Sequence, residues 1–257
     1  MSKIASSVII LVTLMLVPPF YSISVYAKTF VVGYGSHDSE PYAIIRENQL
    51  VAGIIKEIVD EIALELKINV EYVNIPRKRE ELYLQNGRID AIIISNPKWL
   101  MQSERFHWSE PLFVEQDLLV TLNTHNPKIT NISAMTGMNI GTIRGYIYPT
   151  LAPLFENNTI NRSDTRSIQS NFTRLQFSRI DGFIDSNFLI YHYLHNNKVE
   201  NIFKVEPVII SEHGIQTALS ANSPITKNQF DFVLNKLKEK GIIKDILNKY
   251  HLIMPSN

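Results

Sequence analysis

The tightest constraint in this sequence is a pattern that occurs twice. Arg88-Ile-Asp90-Ala-Ile-Ile-Ile-Ser95 and Arg179-Ile-Asp181-Gly-Phe-Ile-Asp185-Ser186 share their first three residues and their closing serine. Each copy follows a polar segment of helical character, residues 80–87 and 171–178. A short apolar run bounded by polar residues reads as a buried strand. The second copy runs straight into a helical stretch, Asn187-Phe-Leu-Ile-Tyr-His-Tyr-Leu194. A unit of this kind in each half of the chain predicts two similar α/β lobes. In open α/β sheets ligands bind beyond the carboxyl ends of the strands, and Asp185 is expected at such an end.

The rest of the chain extends that reading. Residues 29–33 (Thr-Phe-Val-Val-Gly) read as a first strand, followed by a loop over 34–42. In residues 53–66, Ile54, Ile58, Ile62 and Leu66 recur at spacing four, and Ile55, Val59 and Ala63 widen the stripe. That is an amphipathic helix with one buried face. Residues 68–73 alternate and read as a strand, 78–86 as a polar helix closed by Gly87, and 89–94 as a third strand. The apolar run 112–122 is a candidate crossing between lobes. Residues 138–145 read as a strand and Gly turn. A helix is expected over 146–155, with Pro149 in its first turn, where the missing N–H costs little, and 157–164 read as a polar loop. Residues 203–210 read as strand and 214–220 as the return crossing. Amphipathic helices close the chain at 226–240 and 241–250. Strands alternating with helices argue for parallel sheets covered on both faces. The expected division is lobe one over 28–118, lobe two over 119–215 and a return to lobe one over 216–257.

Residues 1–27 read as a cleavable signal peptide. Lys3 supplies a positive start, residues 8–17 an apolar run, and Val25-Tyr-Ala27 small residues before Lys28. The run is broken by Pro18-Pro19 and is shorter than the roughly 20 residues that span a bilayer. The 257 residues include no cysteine, which excludes disulfides, thiolate metal sites and a lipid-modified N-terminal cysteine. An exported, cysteine-free chain is expected in the periplasm. Formal net charge is zero, so nothing points to nucleic acid or an anionic membrane surface.

The motifs, in their order, resemble those of the bacterial extracellular solute-binding proteins of family 3. The carrying residues are Pro41-Tyr42 after the first strand, Gly53 opening a helix, Gly87-Arg-Ile-Asp90-Ala, and Trp108-Ser109-Glu-Pro111-Leu. They continue with Ile140-Gly141 followed by Gly145, Arg179-Ile-Asp181-Gly-Phe-Ile-Asp185, and the closing Leu237-Lys-Glu-Lys-Gly241-Ile-Ile-Lys-Asp-Ile-Leu-Asn-Lys-Tyr250. The resemblance implies an α/β, two-lobed, type II periplasmic-binding-protein-like fold with two hinge crossings, and capture of a small polar solute by lobe closure. It further implies ABC-type amino-acid transport, with an Arg in lobe one for the α-carboxylate and an Asp at the lobe-two strand end for the α-ammonium. Asp185 matches the second. The first is absent at its expected place, which Gln102 occupies.

Candidate ligand contacts are therefore Asp185, with Arg144, Gly145 and Tyr146 as an anion cradle at an expected helix start. Arg79 and Arg105 are alternative cations, Tyr42 and Trp99 aromatic walls, and Ser95 a hydrogen-bond donor. Asp185 has a second reading as the cap of the helix that follows. Asp90 and Asp181 read as turn or cap residues at strand starts. No phosphate loop, dinucleotide turn or nucleophile elbow occurs, and His192 and His195 find no third ligand, so no cofactor and no metal are expected. The expected partners are a small-molecule ligand and an inner-membrane ABC permease or a membrane sensor, with the protein monomeric. The alternative is a dehydratase-like enzyme on the same scaffold, with His37, Glu40 or His107 as general acid.

Overall fold

The computed structural model describes residues 28–35, 37–125 and 128–250. The expected signal peptide lies outside them. Among the described residues no helix is long and apolar enough to cross a membrane.

The first half is built on β1 (Thr29–Tyr34). A hairpin follows, β2 (Ile44–Arg46) and β3 (Gln49–Ala52), then α1 (Ile54–Leu66) and β4 (Asn69–Asn74). A 3-10 turn over Arg77–Arg79 leads into α2 (Glu80–Gln85) and β5 (Ala91–Ser95), and the short β6 (His107–Trp108) comes after. The stripe read in α1 is the buried one: Ile54, Ile58, Val59 and Ile62 have no exposed surface. The hairpin was not anticipated. Its turn residues Glu47 and Asn48 have φ of 50° and 63°, as a tight hairpin turn requires, but Glu is not a residue that advertises that conformation.

β7 (Phe113–Leu122) leads to the second half: β8 (Asn139–Ile143), α3 (Ala152–Glu156), β9 (Asn161–Thr165), α4 (Ile168–Gln176), β10 (Gly182–Ser186) and α5 (Asn187–Asn197). β11 (Phe203–Leu219) returns, and α6 (Lys227–Glu239) and α7 (Ile242–Lys249) close the described chain. The sheet order is β4-β1-β5-β11-β7-β10-β8-β9, with β6 beside β11. The triplets β4-β1-β5 and β9-β8-β10 are each parallel and have the same internal order. Antiparallel β7 and β11 link them.

The repeated sequence unit has a repeated structural role. Asp90 donates its N–H to Val31 O at 2.7 Å and accepts Val31 N–H on Oδ2 at 2.8 Å. Asp181 donates its N–H to Asn139 O at 2.9 Å and accepts Asn139 N–H at 2.7 Å. Each Asp thus brackets the start of the first strand of its own triplet, while Ile89 and Ile180 beside them are buried.

Three expectations change. The helix expected over 146–155 is confined to Ala152–Glu156, with Pro153 in its first turn, which leaves 144–151 as a loop. The polar loop expected over 157–164 contains β9, an edge strand whose polar residues Asn161 and Arg162 are exposed. The two β segments expected over 203–220 are one strand, interrupted only by register shifts against β7.

Candidate functional site

A cavity of about 190 Å³ lies where the two halves meet. The first half contributes His37, Asp38, Tyr42, Arg77, Ile94 and Trp99. The linking strands contribute Glu115 and Asp117 from β7 and His213 from β11. The second half contributes Gly145, Tyr146, Ile147 and Tyr148 from the loop after β8, and Ser186 and Leu189 from the end of β10 and the start of α5.

Glu115 and Asp117 are two apart on a strand, so they face the same side. Glu115 accepts the Tyr42 hydroxyl at 2.5 Å, and Tyr42 Oη is also 3.0 Å from Ser186 Oγ. Burial pushes the Glu115 carboxyl up to about 7, against hydrogen bonds that favour its charged form. Asp117 accepts from His213 Nε2 at 3.0 Å and also from the Ser211 hydroxyl. The hydrogen bond to Asp117 raises the His213 pKa above its ordinary value. Trp99 meets the His213 ring edge-on, with centroids 5.6 Å apart.

On the opposite wall, Arg77 donates to Glu80 Oε2 at 2.6 Å, and His37 Nε2 bonds the other oxygen of that carboxylate. Burial lowers the His37 pKa, but Glu80 and Asp38 outweigh it and raise it overall. Burial pushes Asp38 up to about 6. The ligand atoms of His37, Asp38 and Glu80 lie within 4.8 Å of one another, close enough to share an ion. However, Arg77 already bonds Glu80, so the cluster carries a cation of its own.

Of the residues expected from sequence, Tyr42, Trp99, Gly145 and Tyr146 line the cavity. Asp185 does not. It is 4 % exposed, accepts Ser186 N–H on Oδ1 at 2.9 Å, and has no partner for Oδ2. Burial, helped by Asp117 and Glu115, pushes its pKa up to about 8. Its neighbour Ser186 is the residue that faces the cavity, as alternation along a strand requires. Ser186, rather than Asp185, also caps α5, accepting Phe188 N–H at 3.1 Å.

Ser95 is fully buried, has no partner for its hydroxyl and is not in the lining. Arg79, Arg105 and Arg144 are exposed and outside it. Arg79 and Arg105 close 3-10 turns. The cradle read at Arg144-Gly145-Tyr146 lacks its helix start, because the loop runs on to Ala152. Of the acids considered for an enzyme, His37 lines the cavity, whereas His107 is exposed and Glu40 is an exposed partner of Arg46 at 2.8 Å.

Sequence reasoning missed Arg77, Glu115, Asp117, Ser186 and His213. Glu115 and Asp117 had a legible signal: two carboxylates at period two inside the otherwise apolar run Phe113–Leu122.

Comparison with known proteins agrees with this architecture. No curated protein sequence matches the chain. Among solved structures, the ligand-binding core of GluR0 in complex with L-glutamate superposes with a TM-score of 0.73 at 17% identity, over 88% of this chain and 99% of that one. A histidine kinase sensor domain with similarity to periplasmic binding proteins gives 0.71 at 19%, over 87% and 96%. An amino acid ABC transporter substrate-binding protein from Streptococcus pneumoniae, bound to L-arginine, gives 0.69 at 17%, over 86% and 94%. The fold is thus the two-lobed type II binding-protein fold. The family description that matches residues 31–253 is bacterial extracellular solute-binding proteins, family 3. This chain belongs to that family.

Proposed function

We propose that this protein is a periplasmic receptor that captures a small polar solute, an amino acid or a related zwitterion, between its lobes and hands it to an inner-membrane ABC permease. The observation that carries the reading is the cavity itself. It is bounded by both halves of the molecule and by the strands that link them, and lined by aromatic rings with a few fixed charges. Pockets of that make-up give small ligands orientation and specificity. Closure of lobes about such a hinge buries the ligand.

In this reading the lobes divide as 28–118, 119–215 and 216–257, residues 1–27 direct export and are removed, and the protein acts as a monomer without enzymatic turnover. Tyr42, Trp99, Tyr146 and Gly145 contact the solute, joined by Ser186, Glu115 and Asp117. Asp185 supports the site from behind Ser186. Hand-over to a membrane sensor instead of a permease would use the same closure.

The test is thermal unfolding of the exported, refolded protein against amino acids, amines, small carboxylates and sugars. A ligand at about a hundred times its dissociation constant stabilises the native state by roughly 2.7 kcal/mol, which raises Tm by roughly 5–10 °C in a domain of this size. The expected result is a shift of that size for one class. No shift for any class contradicts solute capture.

A further inference from the structure

The charges around the cavity do not balance. Arg77 and His37 both bond the Glu80 carboxylate. His213 is committed through Nε2 to Asp117 at 3.0 Å. An ionised carboxylate only accepts, so Nε2 carries the proton in that bond. In neutral His213 the other nitrogen, Nδ1, then presents a bare lone pair, and it is buried without a hydrogen-bond partner. Arg77, His37 and His213 are therefore each already paired with a carboxylate. Two buried carboxylates, by contrast, have only neutral donors. Glu115 accepts the Tyr42 hydroxyl, and Asp185 accepts a single backbone N–H and leaves Oδ2 unpartnered. A buried carboxylate without a cation is costly. Glu115 lines the cavity, with Asp117 two residues on and the Trp99 and Tyr146 rings nearby. Aromatic faces favour a cation.

We propose that Glu115, with Asp117 beside it on the same strand, holds the positively charged group of the solute, and that the solute is accordingly an ammonium or guanidinium compound of net positive charge. This rests on the solute-capture reading of the same cavity. It moves the cation contact from the end of β10 to the linking strand β7. A primary ammonium has three N–H donors to offer to the carboxylates of Glu115 and Asp117, both of which line the cavity. An anionic solute would meet the carboxylates of Glu115 and Asp117, and Arg77, the one arginine among the lining residues, already bonds Glu80.

The titratable groups that face Glu115 are Tyr42 from the loop after β1, Asp117 on its own strand, His213 on β11, Asp185 on β10 and Tyr146 from the loop after β8. As pH falls from 8 to 6, Glu115, which burial raises to about 7, takes up a proton, and that change works against a bound cation. Affinity for a cation should therefore fall with pH, whereas affinity for an anion should rise.

The experiment is calorimetric titration of the exported, purified protein with L-lysine, cadaverine, L-arginine, agmatine, L-glutamate and succinate at pH 8 and pH 6. The expected result is binding of at least one of the four cations, at least tenfold weaker at pH 6 and at least tenfold weaker in Glu115→Gln. The lysine–cadaverine and arginine–agmatine pairs show whether the solute is an amino acid or a free amine. Asp117→Asn, expected to weaken binding several-fold, provides a second variant should Glu115→Gln fold poorly. Binding of glutamate or succinate without any of the cations overturns the proposal but leaves solute capture intact. So does cation binding that is indifferent to Glu115→Gln, Asp117→Asn and pH. If none of the six binds, the proposal fails, and the wider thermal panel judges solute capture separately.

Discussion

Tyr42 donates its hydroxyl to Glu115 at 2.5 Å, from the loop after β1 to the strand that leads into the second half, and the same oxygen lies 3.0 Å from Ser186 Oγ. One side chain thus joins both halves of the molecule to the linking strand. All three residues are buried.

Replacing that hydroxyl is the first prediction. Tyr42→Phe keeps the ring against Phe188, 6.5 Å between centroids, and removes only the hydrogen bonds. A buried acceptor left short of a donor costs about 1–3 kcal/mol. Urea unfolding should show that loss. An unchanged midpoint would mean that the Tyr42–Glu115 bond contributes nothing in solution.

The second prediction concerns pH. The Glu115 carboxyl is raised from 4.5 to about 7 and Asp185 from 3.8 to about 8, both chiefly by burial. In that window the native state holds more protons than the unfolded chain, so stability is greatest at low pH and is lost as pH rises. For Glu115 the loss is on the order of 3 kcal/mol. In ligand-free protein, Glu115→Gln should be the more stable form at pH 8 and show a flatter profile from pH 5 to pH 8. Parallel profiles for the two proteins would show that Glu115 titrates normally.

A third prediction comes from the repeat. Asp90 and Asp181 make the same two-bond bracket to Val31 and Asn139. Asp90→Ala should cost about 1–3 kcal/mol, since it leaves a partly buried backbone N–H without its acceptor, and Asp181→Ala, where water can take over, about 0.5–1.5 kcal/mol. Asp90 is the more buried of the two, so its replacement should cost more. Equal tolerance of both changes in denaturant melts would deny the bracket a structural role.

The fourth tests the core of the second half. Phe172 is 1 % exposed and meets Phe183, Tyr193 and Phe203. Phe172→Ala should cost about 3–5 kcal/mol by opening a cavity among those rings. A loss under about 1 kcal/mol would mean that the rings collapse into the space.

The fold was more legible in the sequence than the site, for a physical reason. Burial writes itself as periodicity, so Ile54, Ile58 and Ile62 announce α1, and the two Arg-Ile-Asp units announce the parallel triplets. A site is assembled from residues that are distant in sequence, and its residues follow no period of their own. Asp185 was singled out because it ends an apolar strand, yet its neighbour Ser186 faces the cavity; a shift of one residue turns a side chain to the opposite face. Arg144 drew its role from a helix start that the loop up to Ala152 does not provide. Arg77 gave no local signal at all, because its position is set by Glu80, the first residue of α2.

The most direct measurement uses the two tryptophans of the chain. Trp99 lines the cavity, while Trp108, on β6, pairs with Ala218 of β11 outside the lining. Tryptophan fluorescence of the exported protein would be followed during titration with L-amino acids and amines. The account predicts a saturable change that is lost in Trp99→Phe and kept in Trp108→Phe. A change that survives Trp99→Phe and disappears in Trp108→Phe would place binding elsewhere and contradict it.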